Sequence, residues 1–550
     1  MKHHTMKLRY LISIAIAAIL FLSAELNAQV RVVVEQPVVP VLIGKPYNSV
    51  LKLDFIKEKS CNAKISQLQF SLDGNVGSVE NVALYPAYKN GRIAPENALS
   101  SAKKAEKTTT FSSPIFLTQD TTTVWVSLTL KEKAKLKQKI TVDCISAVVD
   151  GQPAELQHQS ALKALRLGVA LRKSKMDNIH TSRIPGIATS KAKTLLAIYD
   201  ARYEYSRDLQ GNIDIALNRS FDGGATWQPT QIVLDQKNWG NLPEKFNGVS
   251  DACILVDDRT GAIYVAGLWM YGVIDSNTGK WVDNLSKTST SWNHQWRSKG
   301  SQPGTGVKET SQFLITKSTD DGLTWSEPQN ITEHTKRPEW WLYAPAPGHG
   351  ITLKDGTLVF PTQGRDSQGV PFSNITYSKD GGKTWVASNA AYTNTTECMA
   401  VELNDGSIML NMRDNRNGGN PLNNGRRICV THDMGKTWTE HPTSRKALIE
   451  PTCMASIHKH VYKRGKKTLS VLLFCNPESC YDRSHLTLKA SFDDGNSWPS
   501  THKILLDEWA GFGYSCITSV DENTIGILYE SSQAQIVFQQ IDLKDILGDN

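Results

Sequence analysis

The chain has 550 residues, 40% hydrophobic and 21% charged, a globular composition with room for two or more cores. Its 61 basic and 54 acidic residues leave a formal charge of +7, spread along the chain with no dense Lys/Arg run. That pattern excludes a polycationic nucleic-acid-binding tail and reads as a mixed, solvated surface. Nine cysteines, an odd number with no C-x-x-C pair, exclude full intramolecular pairing and speak against zinc or thioredoxin chemistry; Cys475 and Cys480 are the one close pair, open to a local disulfide.

From the N-terminus, MKHHTMKLRY is basic, LISIAIAAILFLSA is an apolar run of 14 residues, and ELNAQ supplies small residues for cleavage after Ala24 or Ala28. This is the layout of a secretory signal peptide over residues 1–28, so the protein is expected to be exported, to the periplasm or the medium. No other segment approaches a membrane-spanning length, so stable membrane insertion is not expected. Residues 29–160 carry short alternating or apolar runs (VRVVVEQ, SVLKLDF, ISQLQFSL, TTVWVSLTL, KITVDCISAVV) separated by polar turns. They predict a small N-terminal β-sandwich, open to a packing or a glycan-binding role, with a loose boundary at residues 150–161.

From about residue 165 a repeated octet takes over: SFDGGATW, STDDGLTW, SKDGGKTW, THDMGKTW and SFDDGNSW. The tryptophans stand at 227, 325, 385, 438 and 498, spaced by 98, 60, 53 and 60 residues. Strand-like runs lie between them (DGTLVFP, DGSIMLNM, TIGILYE), so each period matches a four-stranded propeller blade and residues 165–550 hold six. The long interval fits one blade with an insertion over Tyr271–Gln312. The fold class is therefore all-β, a six-bladed β-propeller preceded by a β-sandwich. The octet's Asp accepts backbone N–H groups in a tight turn, its Gly takes positive φ, and its Trp opens the next strand. The octets lack the alternating ligands of a calcium loop and the first Gly of a phosphate loop, and a residue repeated in every blade does not mark a unique site.

The octet S-x-D-x-G-x-T-W matches the Asp box, and residues 165–550 resemble a bacterial exo-α-sialidase (neuraminidase). The resemblance implies a terminal sialic acid as substrate, whose carboxylate calls for arginine forks that keep their charge. It supplies Arg183 in RIPG, Arg413 in MRDN and Arg483 in NPESCYDRSHLTL. It also implies a tyrosine nucleophile, Tyr514 in AGFGYSCITSV, in place of the usual carboxylate. An anionic nucleophile would be repelled by the substrate carboxylate, whereas a neutral phenol needs only a base, here Glu397 in NTTECMAVEL. Glu530 in GILYES would orient Arg183. In IYDARYEYSRDLQG the acid/base role falls to Asp208, with Asp200 and Asp214 as competitors and Arg202 nearby. Asp251 in GVSDACILVD is expected to line the pocket on the sugar's N-acyl side, and Trp340 and Trp341 are a candidate stacking wall. Where the family usually has an aromatic residue before the first arginine, this chain has Ser182. No histidine cluster has metal-ligand spacing, and the implied chemistry needs no metal or other cofactor.

The expected activity is retaining hydrolysis of sialosides through a sialyl-tyrosine. A propeller that binds sialoglycans without cleaving them is the alternative, as is transfer or anhydro-product release from the same site. A lectin has no need of a base beside a phenol, which favours the enzyme.

Overall fold

The computed structural model describes residues 30–57, 63–208, 211–239, 244, 247–271, 301–307 and 309–548; the expected signal peptide, Cys61 and most of the expected insertion lie outside them. The chain divides into two compact units. One runs to Pro37 and takes in Lys45–Ala134 and Gln138–Leu165; the other holds Val38–Gly44, Lys135–Lys137 and Arg166–Asn550.

The first unit is a β-sandwich. One sheet orders its strands Glu155–His158, Val30–Glu35, Asn48–Lys57, Thr121–Leu130, Val79–Pro86 and Lys103–Lys104. The other pairs Lys139–Val149 with Ala63–Gly74, and Ala63–Gly74 with Thr108–Phe111 and Ile115–Leu117. Four of the five runs singled out in the sequence lie wholly within strands, and the first, VRVVVEQ, does so up to Glu35. Their alternation is that of a sheet buried on one face: Val30, Val32 and Val34 point inward while Arg31 is exposed.

The second unit is a six-bladed propeller, each blade four strands deep. Blade 1 comprises Thr181–Thr189, Leu195–Arg202, Ile213–Ser220 and Gln231–Leu234. Blade 2 comprises Asn247–Val256, Ile263–Tyr271, Gln312–Ser318 and Gln329–Asn330. Blade 3 is built on Leu342–Pro345, Leu358–Arg365, Pro371–Ser378 and Val386–Ala387. Blade 4 takes Thr395–Glu402, Ile408–Asp414, Arg427–Thr431 and Thr439–Glu440, and blade 5 Ser456–Arg464, Lys467–Pro477, Leu486–Ser491 and Lys503–Asp507. Blade 6 has Ser515–Asp521, Thr524–Tyr529 and Ile536–Asp542, with Leu165–Arg172 as its fourth strand. Thr181–Thr189 packs against Ser515–Asp521 and so closes the ring. The segment Val41–Ile43 pairs in parallel with Leu165–Arg172, so it belongs to the propeller although it precedes most of the sandwich.

Every octet forms the turn between the third and fourth strands of its blade. In the first, Asp222 Oδ1 accepts the Thr226 amide (2.9 Å) and the Ser220 hydroxyl (2.9 Å), while Oδ2 accepts the Thr226 hydroxyl (2.6 Å). Ser220 Oγ in turn accepts the Gly224 amide (2.8 Å). The other four copies repeat the scheme around Asp320, Asp380, Asp433 and Asp493. Six blades carry five octets because the fourth strand of blade 6 comes from the front of the unit, and no third-to-fourth turn exists there. Bonds to the ionised carboxylate, first from the Thr324 hydroxyl, hold Asp320 down at about 2. Asp222→Ala is expected to cost about 1 kcal/mol and a few degrees of Tm, with turnover per folded molecule unchanged; thermal melts and an active-fraction-corrected assay check this.

Cys475 and Cys480 are both buried free thiols, so the local disulfide left open by the sequence is not formed. Cys475 lies inside the strand Lys467–Pro477, where it packs as a small apolar side chain.

Candidate active site

The inner strands carry four of the candidate residues in or just before their first halves. Arg183 lies early in Thr181–Thr189, Asp251 midway along Asn247–Val256, Glu397 early in Thr395–Glu402, and Tyr514 just before Ser515–Asp521. Three of these strands break register where the candidate residue sits: between Arg183 and Gly186, between Ser250 and Cys253, and between Thr395 and Cys398. Such bulges turn side chains out of the pleat and towards the axis. Ile184 and Asp251 adopt positive φ there (60° and 57°), a costly conformation for a β-branched residue at Ile184.

Glu530 holds that strained corner. Its Oε1 accepts Arg183 Nε (2.8 Å) and the Ile184 amide (2.9 Å), and its Oε2 accepts Arg183 Nη2 (3.2 Å) and the Tyr514 amide (3.1 Å). The expected partner of Arg183 thus also fixes the backbone of Tyr514. Ser182 is buried; its amide donates to Gln535 and its hydroxyl accepts from Arg172. The aromatic face for Arg183 comes instead from Phe512, whose ring centroid is 4.2 Å from the guanidinium carbon.

Three arginines surround Tyr514. Arg183 lies 5.3 Å and Arg483 5.4 Å from its ring centroid, and Arg413 Nη1 is 3.3 Å from the hydroxyl. The phenol donates to Glu397 Oε1, while Arg413 Nη1 donates to Glu397 Oε2 at 2.7 Å. Burial, then the Glu397 charge, drives the phenol pKa well above its ordinary value, against the opposing pull of Arg413 and Arg483. Tyr514 is a neutral phenol hydrogen-bonded to a carboxylate. Arg483 is anchored through carbonyls, to Phe512 O (2.9 Å) and Thr452 O (3.4 Å), and has no carboxylate partner among the described residues.

A cavity of about 460 Å³ opens over these groups, lined among others by Ile184, Asp208, Asp251, Glu397, Arg413 and Tyr514. It is the right size for a monosaccharide with polar anchors. Of the three aspartates in the blade 1 loop region, Asp208 reaches it. Its side chain is 63% exposed and lies 2.8 Å from Arg202 Nη1 and 3.8 Å from Arg183 Nη1. Desolvation would raise its pKa, but Arg202 and then Arg183 outweigh it and hold Asp208 below the usual value. Asp200 sits behind, paired with Arg202 (2.9 Å) and Ser250, and burial lifts it to about 6. Asp214 accepts from the Tyr203 hydroxyl (2.8 Å), outside the cavity.

Burial and the neighbouring Asp235 raise Asp214 to about 8. Its stabilising contribution is complete below the unfolded pKa of about 4 and is lost as pH rises through about 8. Asp214→Asn should therefore raise Tm at pH 9 and leave it nearly unchanged at pH 4, in melts run at both pH values.

Asp251 is buried, accepts Gln363 Nε2 (3.1 Å) and lines the cavity, and burial, then Glu397, raises its pKa well above the usual range. Trp340 does not form a stacking wall: it packs against Phe372 (4.7 Å) and Tyr343 (5.1 Å) in the core of blade 3. Trp341 is half-buried, donates to Ser367 O (3.3 Å), and does not line the cavity. Gln363, Arg365, Thr396 and Asn415 do line it and were not singled out from the sequence. Asn415 and Thr396 flank Arg413 and Glu397 closely enough to have been inferred; Gln363 and Arg365 have no local signal beyond ending the strand Leu358–Arg365.

Comparison with known proteins matches residues 193–527 to the BNR repeat-like domain and residues 29–153 to the N-terminal domain of BNR-repeat neuraminidase. A sialidase of Bacteroides fragilis is 44% identical over 425 residues, 77% of this chain and 73% of that protein. A sialidase of Micromonospora viridifaciens is 32% identical over 360 residues, 63% of this chain and 49% of its own. The structure of a Hadza microbial sialidase superposes with a TM-score of 0.82 at 33% identity, covering 94% of this chain and all of that one. A Trypanosoma rangeli sialidase in complex with sialic acid, 23% identical with a TM-score of 0.52, shares the fold over 69% of this chain and 59% of that one.

Proposed function

The chain belongs to the sialidase family, and on that premise we propose that it is a retaining exo-α-sialidase working through a covalent sialyl-tyrosine on Tyr514. The observation that carries this reading is the hydrogen bond from the Tyr514 hydroxyl to Glu397, with Arg413 bridging the two. Arg183, Arg413 and Arg483 receive the substrate carboxylate on the nucleophile's side of the reacting carbon. As Tyr514 attacks, Glu397 takes the phenolic proton, and Arg413 and Arg483 temper the charge that develops. Asp208 protonates the departing glycosidic oxygen and later takes a proton from the water that releases sialic acid.

Asp208 must carry a proton when bond cleavage begins, yet Arg202 and Arg183 favour its ionised form. A substrate carboxylate on Arg183 neutralises part of that field, so substrate binding itself raises the Asp208 pKa. Asp208→Asn is expected to lower hydrolysis of a natural sialyl-lactose linkage by about 10²–10⁴-fold. A p-nitrophenyl sialoside, whose leaving group needs little protonation, should suffer far less. Equal losses on both substrates contradict the assignment.

Sialylated glycans are the proposed substrates. Residues 1–28 support a further proposal, export through a cleaved signal peptide, which N-terminal sequencing of the protein secreted by its host would test. Binding of sialyl-lactose without release of free sialic acid would favour the glycan-binding alternative over hydrolysis.

A further inference from the structure

Behind Arg413 lies a fully buried ion pair that touches no part of the cavity, Arg426 with Glu450. Arg426 Nε donates to Asn411 Oδ1 (2.7 Å) and its Nη1 to Cys453 O (2.7 Å). Glu450 Oε1 accepts the Asp414 amide (2.7 Å) and Asn417 Nδ2 (2.7 Å). The pair therefore grips the backbone on one side of Arg413 at Asp414 and, two residues to the other side, the Asn411 side chain. It also fixes the segment that serves Arg483. Glu450 is locked to Asn424 through both its amide and its carbonyl, and Thr452 O and Cys453 O are the acceptors for Arg483 and Arg426. Thr452 is held at a positive φ of 51° within that segment.

A fully buried ion pair is a poor source of stability, because desolvation offsets the attraction and apolar replacements of similar volume often fold as well. Its placement suits another task. We propose that Arg426 and Glu450 are positioning residues that set the separation and aim of Arg413 and Arg483 for the substrate carboxylate. This rests on the reading that those two guanidinia bind that carboxylate. A displacement of about 1 Å in such a fork is enough to cost on the order of 10²-fold in rate.

The test is the paired variant Arg426→Met/Glu450→Leu, which removes both charges together, measured beside Arg413→Ala and wild type for Tm, KM and kcat on a fluorogenic sialoside. The expected result is a Tm within a few degrees of wild type and a KM raised about tenfold or more, with a smaller fall in kcat. A folded paired variant with KM within twofold of wild type overturns the positioning role, whatever its kcat. Should the pair fail to fold, Glu450→Gln, which keeps an oxygen for the Asp414 amide, carries the test on the same KM criterion. An unchanged KM in Arg413→Ala would instead overturn the carboxylate reading on which the inference stands.

Discussion

Tyr514→Phe is expected to fold, to bind sialosides about as well as wild type, and to lose roughly 10³-fold or more in kcat. The substitution keeps the ring that lies beside Arg183 and Arg483 and deletes the hydroxyl that donates to Glu397. Glu397 retains Arg413 on its second oxygen, so no buried charge is left alone. The loss should therefore fall on the chemical step and spare KM. Steady-state kinetics with a fluorogenic sialoside, alongside a thermal melt, reads both. A variant with near-wild-type kcat would show that Tyr514 is not the nucleophile.

Glu530→Ala is expected to destabilise the protein by about 3–5 kcal/mol and to abolish turnover in whatever remains folded. Four donors converge on that carboxylate: two guanidinium nitrogens of Arg183 and the amides of Ile184 and Tyr514. Its removal leaves Arg183, 7% exposed, without its closest counter-ion and frees the strained φ at Ile184. Glu530→Gln offers one oxygen where two were used, so it should fall between the alanine variant and wild type in denaturant melts. A melt of the alanine variant that matches wild type would contradict this role.

The repeated octets made the propeller legible, since Asp, Gly and Trp at fixed spacing encode one turn whatever surrounds it. The same locality explains why the sequence announces six blades and not how the ring closes. Pairing of Val169 with Phe538 joins residues far apart in the chain, and no local pattern in LRLGVALR marks it as the last strand of the last blade. The candidate site divides in the same way. Arg183, Glu397, Arg413 and Tyr514 were visible because each sits in a short segment that carries the family resemblance, and the fold gathers the other three around Tyr514. What converges from several blades was hidden: the stacking of Phe512 on Arg183, the contact of Gln363 with Asp251, and the Arg426–Glu450 pair. Trp340 shows the opposite error, a residue type suited to sugar stacking that the blade uses as core. Periodicity says that an aromatic side chain is buried or exposed in a strand, but the insertion of a whole blade decides which.

In the proposed reaction it is Tyr514 that forms the bond to the sugar. Incubation of the intact protein with a 2,3-difluorinated sialic acid, which slows release of the intermediate, followed by digestion and mass spectrometry, tests it most directly. The predicted result is one adduct per active chain, on the peptide containing Tyr514 and on its phenolic oxygen. An adduct on Glu397 or Asp208, or none at all on a protein that turns over sialosides, would contradict it.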